Sequence, residues 1–425
     1  MSNLLGNALL CMALLAVVAQ AADEPVRISS PDLPYTWTAP ALPAAEGRVV
    51  RCSTPAELRR ALGRGARDVT VLLADGTYKL KRGLVLNGAR NVVIRSASGE
   101  RDQVVLQGIG MAHKRGRRRY SGIQWSAGSR GLLVADLTIR DFPYHGIHVS
   151  GDDARIRNCR FVDMGQQLIK VNAVGERRPE NGLVEYCLIE YTDRLWGGNY
   201  TQGISIVNGK TWTIRHNVFR RIRGAKGAGM GGPALLVWNG TEHAAAVGNV
   251  IVDCDCGIAF GIGRHRRGDF HVDDGLIAAN VIVRTTAEPR SDHGIAIANS
   301  RNVRIVHNTV WNLVPEGGIR WSCEYRFDCR DLLFANNLTL MPIRRRAGKH
   351  TKIRLEGNRI NKDPAWFRDL EKNDLHLSEK ATGALGKAVE LQKDSLCEPV
   401  DVDGEPRPLE GADVGADQAD QRGNE

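Results

Sequence analysis

The feature that most constrains this chain is a short pattern that recurs along its middle half. A β-branched pair leads to an Asn-like hinge residue, an apolar step and a variable loop, and then to a Gly-Ile-x-Val strand. Successive hinges are spaced by 22, 28, 31, 32, 31, 28 and 29 residues along the series Asp136, Asn158, Tyr186, Asn217, Asn249, Asn280, Asn308 and Asn337. A near-constant period built from short strands predicts a solenoid, in which each repeat buries its apolar face only against its neighbours.

The segments between hinges are too short, and too rich in Val, Ile and Gly, to hold a helix plus a strand. Alternation of period two in "NVRIVHNTVW" and "GIAIAN" is typical of half-buried strands. Strands separated by one coil would stack in parallel, and stacked Asn side chains can hydrogen-bond along the stack. An antiparallel sandwich also has short strands, but it does not predict one recurring hinge. The sequence therefore predicts an all-β parallel β-helix.

Both ends of the chain carry family-like segments. The segment "STPAELRRALGRGARDVTVLLADGTYKL" begins at Ser53, and Thr54 with Glu57 forms a potential capping box there. This segment resembles the entry of the pectate-lyase-like superfamily, and "DVDGEPRPLEGADVGADQ" is similar to the tail of many secreted bacterial β-helix proteins. The resemblance implies a right-handed parallel β-helix with an N-terminal helical cap and a C-terminal covering segment. It implies little about chemistry, because the superfamily contains lyases, hydrolases, epimerases and non-enzymes.

The chain divides into four parts. Residues 1–21 read as a secretory signal, 22–50 as an irregular lead-in, 51–345 as the β-helix, and 346–425 as a covering segment folded over the last coil, with a frayed tail from about Asp417. No later stretch is long and apolar enough to span a membrane. We therefore expect a secreted or periplasmic monomer.

Removal of the signal leaves eight of the nine cysteines, an even number suited to an oxidising compartment. Cys323 and Cys329 bracket a five-residue segment and predict a loop-closing disulfide. Cys159 and Cys187 follow hinges on successive coils, where either a bond or a reduced stack is possible. Because C-x₂-C pairs are absent, the sequence predicts no structural zinc.

The formal net charge of +10 favours polyanionic partners. For an exported β-helix the expected polyanion is an acidic polysaccharide, and no recognised nucleic-acid module is present. The alternative is that the basic runs are solvated loop charge.

Aligning the Gly-Ile-x-Val strands places outward residues in columns. The first column contains His148, Lys170, Ser205, Leu236, Ala259, Ala296 and Arg320. His145, Gln167 and Gln202 precede the same strands. The candidate sugar-binding residues are Asn172, Gln202, Ser205, Tyr200, Trp196 and Trp238. Polar and aromatic side chains along one groove suit a sugar chain, although the aromatic residues fit ordinary packing equally well.

For uronate-containing substrates, the fitting reaction is β-elimination, in which a base removes the proton α to the carboxylate. Lys170 is the predicted base, and His148 or His145 the acid or substituent clamp. Gln202, Asn172 or a bound Ca²⁺ ion would neutralise the carboxylate. Chondroitinase-like and alginate-lyase-like β-helix enzymes are similar in placing Lys and Arg on neighbouring coils.

Two other functions remain open. Glycoside hydrolysis needs paired carboxylates, and Asp152 and Asp153 superficially resemble those of polygalacturonase-like β-helices. The chain could instead be a surface solenoid that binds glycans without reaction. A second polar cluster, from Arg264 to Asp274 with Asp292 and His293 one coil later, is interpreted as loop polarity or a cation site.

Overall fold

The computed structural model describes residues 26–29, 33–45, 47–111, 119–192, 200–225, 229–264, 270–287, 291–314, 318–391, 400–408 and 410–419. The predicted signal and Trp196 lie outside these ranges. In the described part, the chain winds into three parallel sheets of twelve, eleven and ten strands. This arrangement is the predicted right-handed parallel β-helix.

Each coil visits the three sheets in turn. The strands of the first sheet are Arg48–Cys52, Arg67–Leu73, Arg90–Ser96, Arg130–Ala135, Asp152–Arg157, Glu180–Glu185, Lys210–Arg215, Thr241–Val247, Val272–Ala278, Arg301–Val306, Arg330–Ala335 and Thr351–Glu356. Those of the second are Gly76–Lys79, Val104–Gln107, Thr138–Arg140, Arg160–Val162, Leu188–Glu190, Val218–Arg220, Val250–Val252, Val281–Arg284, Thr309–Asn312, Leu338–Thr339 and Arg359–Ile360. Those of the third are Leu84–Leu86, Ile123–Trp125, Ile147–Val149, Ile169–Asn172, Ile204–Val207, Pro233–Trp238, Cys256–Phe260, Ser291–Ala298, Ile319–Arg326 and Arg344–Arg345.

The interior is built from stacked apolar columns. In the third sheet one inward column runs through Ile147, Ile169, Ile204, Leu235, Ile258 and Ile295, all fully buried. Because side chains alternate between faces along a strand, every inward residue meets its equivalent on the coils above and below. The Gly-Ile-x-Val repeat supplies the inward residues of this column.

The Asn residues form the predicted ladder at the turn from the first to the second sheet. The side-chain oxygen of Asn280 accepts hydrogen bonds from the backbone amide and the side chain of Asn249, both at 3.0 Å. The same contact recurs on every coil from Asn217 to Asn358. The Asn side chains therefore lie one above another along the stack. They satisfy backbone groups that the turn leaves without strand partners.

In the first three coils, the hinge residues predicted from the sequence lie one residue before the ladder position. Asp136, Asn158 and Tyr186 have positive φ, at 55°, 44° and 56°, and therefore occupy the left-handed position one residue before the ladder. The ladder position on these coils is held by Leu137, Cys159 and Cys187. The amide of Cys187 donates to the Asn217 oxygen at 2.9 Å. Asn and Asp are favoured at both positions, for different reasons, and this ambiguity caused the displacement.

The N-terminal cap is a helix at Pro55–Ala61. The Thr54 hydroxyl accepts a hydrogen bond from the Glu57 amide at 3.2 Å, and a Glu57 carboxylate oxygen accepts one from the Thr54 amide at 3.1 Å. This is the predicted capping box, and the helix buries Leu58 and Ala61 against the first coils.

The lead-in is more ordered than predicted, since Val26–Ser29 pairs antiparallel with Thr36–Ala39. The C-terminal segment contains two 3₁₀ turns, Pro364–Trp366 and Leu370–Lys372, and an antiparallel pair, Phe367–Asp369 with Asp374–Leu377. Both segments pack on the outer face of the second sheet, in one apolar cluster. The C-terminal segment covers the flank of the second sheet, where outward Val218, Val250 and Val281 form an apolar surface. It also contacts the last coils, because the Val389 amide donates to the Asn336 side chain. Asp417, expected to be frayed, is buried and accepts a hydrogen bond from the Leu377 amide.

A buried ion network holds this covering segment. The two ring nitrogens of His376 lie 2.5 Å from Asp374 and 2.8 Å from Asp403. Burial lowers the pKa of His376, but the hydrogen bonds to Asp374 and Asp403 outweigh burial and raise the pKa to about 10. His376 is therefore a cation that donates from both nitrogens.

This network predicts a loss of stability at alkaline pH. The folded-state pKa of His376, about 10, lies above the ordinary value of 6.5, so its contribution is complete below pH 6.5 and disappears as pH rises to about 10. We expect the thermal unfolding midpoint to fall across this window, and to fall less in His376→Gln. Parallel pH profiles for the two proteins would contradict the prediction.

The predicted disulfide between Cys323 and Cys329 is wrong, because both residues are free, buried thiols. Cys323 continues the inward column beneath Ile295, and its strand runs on to Arg326. The Cys329 sulfur instead donates to the carbonyl of Arg326 at 3.2 Å. The segment therefore continues the third sheet and does not close the short loop that a disulfide would require.

None of the helices in the described ranges has the length and apolarity needed to cross a lipid bilayer.

Candidate functional site

The predicted outward column exists on the third sheet. His148 pairs with Lys170, and Lys170 with Ser205, on consecutive parallel strands. Such strands lie about 4.8 Å apart, so residues distant in the chain become neighbours on one wall. The next position is Leu236, which begins an apolar patch with Ala259 and Ala296. The column is thus polar on its early coils and apolar in the middle, as the sequence predicts.

The end of the column differs from the prediction. Ala296 pairs with Glu324, and Arg320 lies outside the column. Glu324 is fully buried and its carboxylate lies 3.2 Å from the Arg346 guanidinium. The sequence alignment took Gly318-Ile319 as the repeat strand, whereas the pairing register starts four residues later because the strand Ile319–Arg326 is longer than its neighbours.

Lys170 is the predicted base in this column. Its ammonium nitrogen donates to the Ser205 hydroxyl at 3.0 Å, and Ser205 is fully buried. Burial lowers the pKa of Lys170 from 10.5 to about 8. No ion pair joins Lys170 to a carboxylate of the described residues, so nothing opposes that effect. Near neutral pH the uncharged amine is therefore a larger fraction of Lys170 than of an ordinary lysine.

His148 stands beside Lys170 and is neutral. Burial and then the Lys170 charge lower the pKa of His148 to about 4. Its Nε2 atom is buried and has no hydrogen-bond partner among the described residues. A buried ring nitrogen without a partner is unusual in a folded protein.

The tautomer of His145 follows from its contacts. Its Nδ1 atom lies 3.1 Å from the Gln167 carbonyl oxygen, which can only accept, so Nδ1 carries the proton. Burial, and then the neighbouring His148 and Lys170, hold the pKa of His145 well below its ordinary value. The ring is therefore neutral, and its Nε2 atom presents a lone pair. His145 lies 5.4 Å from the His148 ring, edge to face.

Two amides fix the groove floor before these strands. Gln167 donates to the Gln202 side-chain oxygen at 3.2 Å, and both residues are buried. A Cβ atom on Gly232 would lie 2.5 Å from the Gln202 nitrogen, so only glycine leaves room for this side chain. Gln202 is thus held in one orientation beside the catalytic candidates.

An open groove continues from this site across the same face. Asn172 lies two residues beyond Lys170 and pairs, through Val207, with Trp238. With His271 and Arg264 they line a cavity of about 1150 Å³. The Trp238 and His271 rings lie 6.1 Å apart. The groove therefore offers an aromatic face, an amide and a cation near Lys170.

The predicted sugar-binding residues separate into groups. Asn172 and Trp238 share the groove, and Gln202 and Ser205 lie beside Lys170. Tyr200 is 55% exposed, and Trp196 lies outside the described residues. Sequence reasoning assigned His271 and Arg264 to polar loops and missed their place in the groove. The spacing from Asn239 to His271 matches one repeat, and His271 accepts a hydrogen bond from the Asn239 amide at 3.2 Å.

A Ca²⁺ ion does not fit the Lys170 site. Ca²⁺ takes six to eight oxygen ligands, usually with carboxylates among them, whereas this site presents an amine, two imidazoles and amides. In the described part of the chain, two groups of side chains have the geometry to hold an ion, and both lie elsewhere: Cys256 with Asp292 and His293, and His376 with Asp403 and Asp417.

Comparisons with known proteins agree with this architecture. The family model described as "Right handed beta helix region" matches residues 82–338. None of the curated protein sequences matches the chain significantly.

Several solved structures are similar. The tailspike protein of E. coli bacteriophage HK620, in complex with a pentasaccharide, aligns with a TM-score of 0.50 at 14% identity, covering 76% of this chain and 60% of that one. Pectate lyase Pel9A gives 0.48 at 12% identity, covering 89% and 98%. An alginate lyase from Paenibacillus sp. gives 0.41 at 14%, covering 72% and 99%. At these identities the similarity concerns the fold. The stacked coils and the family match over most of the solenoid together establish that this chain belongs to the right-handed β-helix family.

Proposed function

We propose that this chain is an exported, carbohydrate-active protein that cleaves uronate-containing polysaccharide by β-elimination, with Lys170 as the general base. The observation that carries the proposal is a lysine whose pKa burial lowers to about 8 and which forms no ion pair with a described carboxylate. It lies two residues from Asn172, which lines an open groove. A general base works best when its pKa lies near the working pH. An ordinary surface lysine does not meet this condition.

The proposed reaction uses the uncharged Lys170 amine. Its lone pair takes the proton on the carbon α to the uronate carboxylate, and the C–H electrons form the new double bond as the bond from the β carbon to the glycosidic oxygen breaks. The leaving oxygen then takes the proton from the Lys170 ammonium. The hydroxyl of Ser205, 3.0 Å from that nitrogen, holds the amine in place during both transfers.

Neutral hydrogen-bond donors and one cation would stabilise the enolate that develops on the carboxylate. His148 offers an imidazole N–H, Asn172 and Gln202 offer amides, and the Arg264 guanidinium lines the adjoining groove. His145 is poorly suited to the acid role, because its N–H is already bonded to the Gln167 carbonyl. We assign it instead to packing edge to face against His148, with the two ring centroids 5.4 Å apart.

The test is a spectroscopic assay on purified protein. Alginate, pectate, chondroitin and heparin are each incubated with the protein, and the ultraviolet absorbance of the unsaturated product is followed. Lys170→Ala, purified in parallel, controls for contaminating lyases. Growth of the chromophore with one polymer supports the proposal, whereas binding without any chromophore would assign the chain to the non-catalytic class.

Binding without reaction is the second candidate, and the groove itself favours it. Trp238 and Asn172 supply an aromatic face and an amide, the usual means of holding a sugar, in one cavity. Hydrolysis has less support. Asp152 and Asp153, the paired carboxylates of the sequence, lie 3.6 and 3.2 Å from the Arg130 guanidinium on the first sheet, away from the groove.

The proposed base predicts a pH dependence. Only the neutral amine accepts a proton, so the rate should rise as pH increases toward 8 and level off above it. Below the pKa we expect about a tenfold rise per pH unit. His148, with a pKa of about 4, stays neutral throughout this range and adds no second limb. A rate that falls between pH 6 and 8 would show that Lys170 is not the base.

A further inference from the structure

A second polar cluster lies on the third sheet, three strands beyond Lys170. Cys256 begins the strand Cys256–Phe260, and His293 holds the equivalent position on the next strand, because Ile258 pairs with Ile295 in parallel register. Equivalent residues on neighbouring strands are about 4.8 Å apart. The backbone alone therefore places these two side chains against each other, with Asp292 beside them.

Three different donor atoms converge here. The Cys256 sulfur, a carboxylate oxygen of Asp292 and a ring nitrogen of His293 all lie within 4.8 Å of one another. Cys256 and His293 are 6% and 3% exposed, whereas Asp292 is only partly buried. An ion could therefore enter beside Asp292, and a water molecule could complete its coordination from that side.

The Nδ1 atom of His293 lies 3.3 Å from the Asp292 carboxylate, but the other ring nitrogen, Nε2, is buried without a hydrogen-bond partner among the described residues. The Cys256 sulfur has a carbonyl contact only at 4.0 Å, to Gly231, whereas the nearby Cys254 sulfur lies 3.5 Å from the Val252 carbonyl. Buried polar atoms without partners are rare, and a bound ligand is one reason for them.

We propose that Cys256, Asp292 and His293 bind a divalent transition-metal ion of the zinc type, joining two successive coils. Sulfur, imidazole nitrogen and carboxylate oxygen are the ligands that Zn²⁺ takes in proteins. The charges of a thiolate and a carboxylate together balance that of a divalent cation. On binding, the Cys256 S–H proton passes to solvent and the sulfur lone pair forms the metal bond.

The thiol is protonated in the metal-free protein. Burial, and then the charges of Asp292 and Asp255, raise the pKa of the Cys256 thiol, and hydrogen bonds from the backbone amides of His293 and Asp292 oppose this shift only in part. A metal ion therefore has to displace the thiol proton, so affinity should weaken as pH falls. The other group with suitable geometry is different, because carboxylates already engage both nitrogens of His376.

Sequence motifs could not reveal this site. The absence of C-x₂-C pairs led to the prediction of no structural zinc, but in a solenoid the ligands come from consecutive coils, and the intervening loop sets their separation in the chain. The sequence placed Asp292 and His293 in a cluster interpreted as loop polarity or a cation site, without Cys256. Pairing register, and not spacing, brings the ligands together.

The test is a cobalt titration of the untagged full chain after treatment with a chelator. We expect one equivalent of Co²⁺ to produce a sulfur-to-cobalt charge-transfer band, and Zn²⁺ to abolish it. Cys256→Ser should remove the band. Cys254→Ser, which alters a buried thiol two residues away, is the matched control and should retain it. Circular dichroism verifies that each variant is folded.

Asp292→Asn provides a second variant, since its side chain is partly exposed and its replacement preserves shape. It should keep the band but lower the cobalt affinity by at least about tenfold. The proposal is overturned if the parent protein gives no band, if Cys256→Ser retains it, or if Asp292→Asn binds cobalt as tightly as the parent.

Discussion

Replacing Lys170 with alanine is expected to lower the rate of β-elimination by about 10³-fold or more, because a positioned general base contributes roughly 10²–10⁴. The loss should be in kcat, since the amine acts on the proton that moves in the transition state. The measurement is initial rate by ultraviolet absorbance on the polymer that the parent protein cleaves. A residual rate within a few-fold of the parent would exclude Lys170 as the base.

Two further variants separate chemistry from structure. Lys170→Arg keeps a cation and most of the volume but cannot supply a neutral amine, so it should be as inactive as the alanine variant. Ser205→Ala removes only the hydroxyl bonded to the amine, and a loss of about tenfold is expected from one hydrogen bond. If Lys170→Arg retains activity, the side chain acts through its charge and the assignment as base is wrong.

The largest expected effect on stability comes from the centre of the Asn ladder. Asn280→Ala removes the acceptor of two hydrogen bonds from Asn249 and the donor to the Ala246 carbonyl. The backbone amide of Asn249 is then buried without a partner. Such a group costs about 1–3 kcal/mol, in addition to the lost hydrogen bonds. We expect the free energy of unfolding to fall by about 3 kcal/mol in urea denaturation.

Asn358→Ala is the matched control at the end of the same ladder. The same two donor atoms, on Asn337, point at Asn358, but Asn358 is only partly buried and water can replace its oxygen. The expected cost is about 1 kcal/mol. Equal losses for the two variants would mean that burial along the ladder does not set its contribution.

Much of the architecture could be predicted from the repeats. The Gly-Ile-x-Val pattern predicted the third sheet and its inward isoleucine column, and the segment from Thr54 to Glu57 predicted the capping box. These features depend on residues close in the chain, or on a periodicity that every coil repeats. The pairing of His148 with Lys170 and Ser205 followed directly, because one coil places each residue above its equivalent.

The errors concern features that no single repeat contains. Asn is favoured both in the left-handed turn and in the ladder, so composition could not separate Asn158 from Cys159. Cys323 and Cys329 are close in the chain, but an extended strand between them prevents the short loop. The sequence did not predict that the C-terminal segment packs on the second sheet. Its position depends on which outward faces are apolar, and these faces form only when all coils are assembled.

The repeating amino acids by themselves determined that the chain coils in parallel, because period-two strands with one recurrent turn have a single way to bury their apolar faces. The tertiary structure alone decided the pKa of Lys170 and the grouping of the metal-ligand candidates. Neighbours from separate coils bury the Lys170 amine and lower its pKa to about 8, and they bring Cys256 and His293 together. Both effects depend on distances through space, which loop lengths conceal from any reading along the chain.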